Sequence, residues 1–266
     1  MSLPADYHMH TPLCRHAEGE PVDYAAQAVA AGLKEIGFSD HSPMRQDDFD
    51  EWRMNLCQLD EYVEKVAKAR TDFPQLDIKL ALEVDYLPGH EDWIRELAAM
   101  HPWDYLIGSV HYVSDDWEVD HPDKLSEWRR RDTMQVWGVY FDRLTMAAES
   151  GLFEIIGHAD LVKKFCFYPD RDCTPLFDRF LRAAAGSATA IELNTAGLRK
   201  ECREIYPSRH LLRTAYERGV HITFGSDAHK PGEVGMDFGA AIALARSVGY
   251  THCNRYTARK VSYARF

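Results

Sequence analysis

Seven short, continuously apolar runs alternate with helical segments along this chain, and that alternation restricts the folds open to it. The runs fall at residues 6–11, 35–42, 78–85, 105–111, 153–158, 190–194 and 221–229. Between them, residues 21–32, 56–70, 91–100, 126–150 and 234–248 carry apolar side chains at helical spacing, the first closed by Gly32. A strand with one wet face alternates apolar and polar residues, whereas these runs do not, so both of their faces are expected to be covered. Strands of that kind alternating with helices predict an α/β fold with a parallel sheet. Seven similar units in 266 residues favour a closed (β/α)7 TIM-like barrel over an open sheet. No G-x-G-x-x-G follows the first run, so a dinucleotide-binding sheet has no support. No low-complexity linker divides the chain, and residues 1–266 read as a single domain. The tail, 250–266, is open between a short last strand and a segment packed across the barrel bottom.

Composition narrows the possible partners. A formal net charge of −11 argues against binding nucleic acid or an anionic membrane through bulk charge. It does not argue against a small anionic substrate, because bound cations reverse the sign locally. The six cysteines form no C-x-x-C pair, which favours reduced thiols packed as small hydrophobes over a disulfide scaffold or thiolate zinc site. There is no long apolar run, and a cytoplasmic location is expected.

Function is expected where the runs end, because (β/α) barrels do their chemistry at the C-terminal ends of the strands. His8 and His10 in Asp6-Tyr7-His8-Met9-His10-Thr11 point to one side of an extended segment, with His16 soon after. Later runs end in Asp40-His41, Glu83, His111, His158 and Asp227-Ala228-His229. Seven of the thirteen histidines thus occupy strand ends, while the other six are scattered. One such histidine is unremarkable; seven at one end of a barrel, with carboxylates among them, imply a metal cluster. Nitrogen and oxygen donors without thiolate suit zinc, iron or manganese.

These residues resemble the polymerase-and-histidinol-phosphatase (PHP) family of metal-dependent phosphoesterases, over nearly the whole chain. The motifs that carry the likeness are His8-Met9-His10, His16, Asp40-His41-Ser42, Glu83, Gly108-Ser109-Val110-His111, Gly157-His158 and Gly225-Ser226-Asp227-Ala228-His229. The resemblance implies a distorted seven-stranded (β/α) barrel holding three divalent metals. It also implies that His8, His10, Glu83 and Asp227 hold one metal. Glu83 would bridge to a second, completed by His111 and His158, and His16, His41 and His229 would hold a third. Asp40 reads as a group that orients a neighbouring imidazole. Two such metals ionise a bridging hydroxide and clamp a phosphoryl group, and Glu83, Asp227 and His229 are the candidates for a part in the chemistry. The proton donor to the leaving group is open among Asp227, His229 and a metal-bound water.

Fixed cations should meet the incoming phosphate. Arg199 comes first, because a Gly-Leu-Arg after the sixth strand resembles the histidinol-phosphatase branch of the family; Lys163 comes second, with Lys164 not excluded. The stretches 107–111, 194–199 and 222–229 also resemble that branch. They imply hydrolysis of L-histidinol phosphate to L-histidinol and phosphate, a step of histidine biosynthesis. Acidic loops containing Asp115, Asp116, Glu118 and Asp120, and Asp47, Asp48, Asp50 and Glu51, suit a substrate bearing an ammonium and an imidazole. Trp52, Trp117 and Trp128 could form a pocket wall, although core packing is the commoner role. The rival within enzymes is a phosphodiesterase or nucleotide phosphatase using the same metals; the rival outside them is a metal-binding protein without turnover.

Overall fold

The computed structural model describes residues 3–114 and 116–266, so Asp115 of the acidic loop lies outside the described residues. Among the described residues there are ten strands: β1 (Glu35–His41), β2 (Asp77–Asp85), β3 (Tyr105–Ser109), β4 (Tyr112–Ser114), β5 (Trp117–Glu118), β6 (Ile155–Ile156), β7 (Ala190–Asn194), β8 (Ile222–Gly225), β9 (His252–Thr257) and β10 (Lys260–Arg265). The helices are α1 (Pro21–Ala30), α2 (Leu59–Asp72), α3 (Glu91–Met100), α4 (Leu125–Trp128), α5 (Thr133–Glu149), α6 (Thr174–Gly186), α7 (Arg209–Glu217) and α8 (Phe238–Val248). None of them is long and apolar enough to cross a membrane.

Six strands form one curled parallel sheet in the order β1-β2-β3-β6-β7-β8. Every residue of β1 is buried, and all of β2 after Asp77, which is why these runs lack polar alternation. Residues 6–10 form no regular strand, but they lie between the two edges of the sheet. On one side the amides of Gly37 and Ser39 donate to the carbonyls of Asp6 (2.8 Å) and Met9 (2.9 Å). On the other, Tyr7 N donates to Phe224 O and Ala228 N to His8 O (3.0 and 3.1 Å). The His-x-His pair is therefore held by both edges. Gly37 permits the closeness: a Cβ there would lie 1.9 Å from the Tyr105 hydroxyl.

Several segments differ from the sequence expectation. The long helix expected over 126–150 is interrupted, because Asp132 caps a new helix by accepting from Gln135 N (3.1 Å). Before the break, buried Trp128 stacks on Phe167. The two helices α6 and α7 lie in stretches that the sequence reading left unassigned; the first begins with Pro175 in its first turn, and Ser208 caps the second. The tail is an antiparallel hairpin, β9–β10, across the N-terminal ends of the strands, where Arg259 bonds the Asp104 carbonyl and Glu154.

Candidate metal centre

The C-terminal ends of the strands and the loops beyond them bring the predicted histidines and carboxylates together. Glu83, two residues before the end of β2, lies at the middle of the cluster. Its Oε1 accepts from Ser109 Oγ (2.6 Å) and faces His158 Nε2 (2.8 Å) and His111 Nε2 (3.8 Å). Its Oε2 faces His41 Nδ1 (2.9 Å), His8 Nε2 (3.2 Å) and His10 Nε2 (3.6 Å). Burial pushes this carboxyl up, but the His8 and His41 imidazoles outweigh it and hold it well below the usual carboxylate range. Asp227 Oδ1 lies 3.2 Å from His10 Nε2 and 4.0 Å from His8 Nε2. Asp227 has φ +52°, a left-handed conformation rare outside glycine, directed here at the site.

Donor atoms of His8, His10 and Asp227 lie within 4.8 Å of one another, and so do those of Glu83, His111 and His158. The first group holds three of the four residues implied for the first metal, without Glu83, and the second holds the three implied for the second. The third is arranged differently. His41 and His229 group with His10, while His16 and His229 group with Cys14. His16 Nε2 lies 2.9 Å from His229 Nε2, so those two imidazoles do face each other. Cys14, expected to be a packed hydrophobe, is buried beside them.

The buried polar atoms fit a cation. His8 Nε2 and His10 Nε2 are buried with no hydrogen-bond partner among the described residues, and each ring is fixed at its other nitrogen. His8 Nδ1 meets Glu192 Oε1 at 2.8 Å, and His10 Nδ1 meets Asp40 Oδ1 at 3.3 Å. A neutral imidazole protonated at Nδ1 leaves its Nε2 lone pair free for a cation. Asp40 accepts in turn from Thr11 N (3.1 Å), the Thr11 hydroxyl and His41 N (2.8 Å), as expected of an orienting group.

Three such partners escaped sequence reading. Glu192 in β7 also accepts from His158 N and Asn194 Nδ2, both at 3.0 Å, so one carboxylate positions residues from two candidate sets. Asp85 accepts from His111 Nδ1 (2.8 Å) and from Arg53 (3.0 Å); burial depresses the basicity of His111, but the Asp85 charge outweighs it and raises the imidazole to about 10. Asp6 ties Ser226 N and Gly235 N (both 2.8 Å) to the opening segment. The available signal was a charged residue inside an apolar run: Glu192, and Asp85 two positions beyond Glu83. Gly225 makes room for Glu192, since a Cβ there would lie 1.9 Å from Glu192 Oε1. Glu192→Gln is expected to weaken metal binding about 10- to 100-fold, read by competition with a chromogenic chelator. An unchanged affinity would remove Glu192 from the support of the centre.

The expected phosphate cations divide. Arg199 lines the cavity of about 340 Å³ over the cluster. Its Nη2 donates to Ser226 O (2.7 Å), while Nη1 is a buried donor without a partner among the described residues. Lys163 is a correction. It is fully buried and turned away, its Nζ bonded to Asp160, Glu204 (both 3.0 Å) and Ile205 O (2.9 Å). The adjacent residue, Lys164, lines the cavity instead, its Nζ on Asp120 O (2.6 Å) and Oδ2 (3.1 Å). After His158 a single 3-10 turn over Leu161–Lys163 sets which of the two lysines faces inward. Trp117 and Trp128 are core residues, whereas Trp52 is half-buried beside the site.

A curled α/β sheet with a polynuclear cluster of imidazoles and carboxylates at its strand ends defines the class: a metal-centred protein built like a barrel enzyme. Residues 6–196 match the model of the PHP domain, and the chain belongs to the PHP family. It is 44% identical, over 92% of its length and 93% of the relative's, to a protein of Deinococcus radiodurans named a probable histidinol-phosphatase. It is 29% identical to the histidinol-phosphatase of Bacillus subtilis, over 88% of this chain and 97% of that one. The crystal structure of histidinol phosphate phosphatase from Lactococcus lactis, complexed with zinc, L-histidinol and phosphate, superposes with a TM-score of 0.85 at 22% identity, covering 98% of this chain and 100% of that one.

Proposed function

We propose that this chain is a metal-dependent phosphomonoesterase that hydrolyses L-histidinol phosphate to L-histidinol and phosphate in histidine biosynthesis. The observation that carries the chemistry is the convergence of five imidazoles on Glu83 beneath a cavity edged by Arg199 and Lys164. The names of the relatives carry the substrate. His8, His10, Glu83 and Asp227 would hold one cation, Glu83, His111 and His158 a second, and His16, His41 and His229 a third, with zinc, iron and manganese all compatible with these donors. Bound there, divalent cations supply Lewis acidity toward a phosphoryl oxygen and a nucleophile ionised at neutral pH.

The chain's own residues do the rest. Arg199 is anchored through Nη2 on Ser226 O, and its guanidinium lines the cavity where a phosphate would bind. Glu192, Asp85 and Asp40 hold the imidazoles of His8, His111 and His10 in one tautomer. Asn194 Nδ2, 3.3 Å from Asp227 Oδ2, fixes that carboxylate so that Oδ1 faces the cluster. Asp227 and His229 line the cavity and are the chain's own candidates, beside a metal-bound water, for moving a proton at the leaving oxygen. The segment 6–10 between β1 and β8 supports reading the sheet as a distorted (β/α)7 barrel, and a core cluster drawing on all the large helices supports one domain over 1–266. Six free cysteines agree with a cytoplasmic setting.

The test is phosphate release from L-histidinol phosphate beside a panel of phosphomonoesters, diesters and nucleotides, with manganese, zinc or iron restored. A kcat/KM for histidinol phosphate at least about 100-fold above the panel is expected, a margin of about 2.7 kcal/mol. Equal turnover across the panel, or a preference for diesters, would overturn the substrate and leave the metal centre standing.

A further inference from the structure

Beside the cavity over the cluster lies a second recess of about 290 Å³, walled on the shared side by His41, His111 and Asp120 and on the far side by Trp52, Glu118 and Pro122. The two compartments differ in charge. Arg199, Lys200 and Lys230 line only the first, and the one cation common to both, Lys164, is already bound to Asp120.

The recess is built as a rigid aromatic and acidic wall. Trp52 is held by the Arg53 guanidinium over its ring at 4.2 Å and by the edges of His41 and His111, with ring centroids at 4.6 and 5.2 Å. Arg53 is itself neutralised by Asp50 and Asp85. Glu118 Oε1 accepts from Trp52 Nε1 (3.3 Å) and stands 3.2 Å from the Tyr112 hydroxyl, whose single proton it shares with Asp50 Oδ2 at 2.8 Å. Both donors are neutral, and no ion pair engages Glu118 among the described residues. Glu118 is therefore a half-buried carboxylate without a cationic partner among the described residues, lining the recess.

From this division we infer that the recess is the leaving-group subsite and sets specificity: Trp52 packs against a flat heteroaromatic ring, and Glu118 accepts from a cationic N–H of the alcohol being released. The inference rests on the function proposed above and names the residues that select its substrate. A phosphoryl group drawn to Arg199 and the cluster leaves the rest of the ester on the side where the one lysine is already paired with Asp120 and a carboxylate and indole are present. The recess would discriminate against leaving groups that lack a positive charge, because Glu118 would then be desolvated without a partner.

The experiment compares kcat/KM for L-histidinol phosphate with that for n-propyl phosphate in the metal-loaded wild type, Glu118→Gln and Trp52→Leu. Calorimetric binding of L-histidinol and of inorganic phosphate is measured on the same proteins. Loss of the charged acceptor should lower the ratio of the two kcat/KM values about 10- to 100-fold. It should also weaken L-histidinol much more than inorganic phosphate. Trp52→Leu should lower the ratio about 5- to 10-fold. A wild type that prefers histidinol phosphate, with variants that keep its ratio or lose both substrates equally, would overturn this inference and spare the proposed function. A wild type without that preference would overturn both.

Discussion

Glu83→Gln is expected to lower kcat about a thousandfold or more, equivalent to about 4 kcal/mol of transition-state stabilisation. The substitution is isosteric, so the position and volume of the side chain are kept while its charge is removed. That charge is buried and stands within 4 Å of five imidazoles from four different segments, His8, His10, His41, His111 and His158. A glutamine amide can neither bridge two cations nor offset them, and its NH2 would point donors at nitrogens that must present lone pairs. Metal content, by elemental analysis, should fall with activity, while the Ser109 hydroxyl can still bond the amide oxygen. A Glu83→Gln protein retaining full metal and more than a tenth of wild-type kcat would remove Glu83 from the centre of the mechanism.

Lys163→Met is expected to destabilise the fold by about 3–5 kcal/mol, because it leaves buried carboxylate unpaired. Asp160 is as buried as Lys163 and is 3.0 Å from its Nζ, and Glu204 and Ile205 O complete the ammonium's partners. This network joins the turn after His158 to the segment carrying Tyr206, over whose ring the ammonium lies at 5.4 Å. The loss should depend on pH. Burial already raises the Asp160 carboxyl above its ordinary value, and removing the lysine charge raises it further. A raised folded-state pKa means stability is greatest where the carboxyl is protonated and falls as pH rises through that pKa. The melting temperature of Lys163→Met should therefore drop further below wild type at pH 8 than at pH 5. If Lys163 held phosphate instead, the variant would melt like wild type and lose substrate affinity.

The two lysines show where sequence reading stopped. Lys163 and Lys164 are chemically alike and adjacent, so no composition or spacing separates them. One turn of 3-10 helix sends one ammonium inward to Asp160 and the other to the cavity. The same limit applies to Glu192. A carboxylate within an apolar run marks itself as unusual, but its partner His8 is 184 residues away, and only strand order brings them together. The break between α4 and α5 was local and in principle legible, since Asp132 is a good N-cap; the helical periodicity on both sides concealed it.

By itself, the sequence determined the α/β class, the parallel sheet and the family, because unalternating apolar runs require burial on both faces and histidines at strand ends have few other uses. It also determined which side chains could meet at the site, since a strand delivers its last residues to a known end of the sheet. The tertiary structure alone decided how they meet: which imidazoles share Glu83, that His229 groups with His10 and with Cys14, and that Glu118 and Trp52 stand opposite the cations. Those relations depend on register and loop paths between segments far apart in the chain, and a one-residue shift in either redirects a side chain without altering any local pattern.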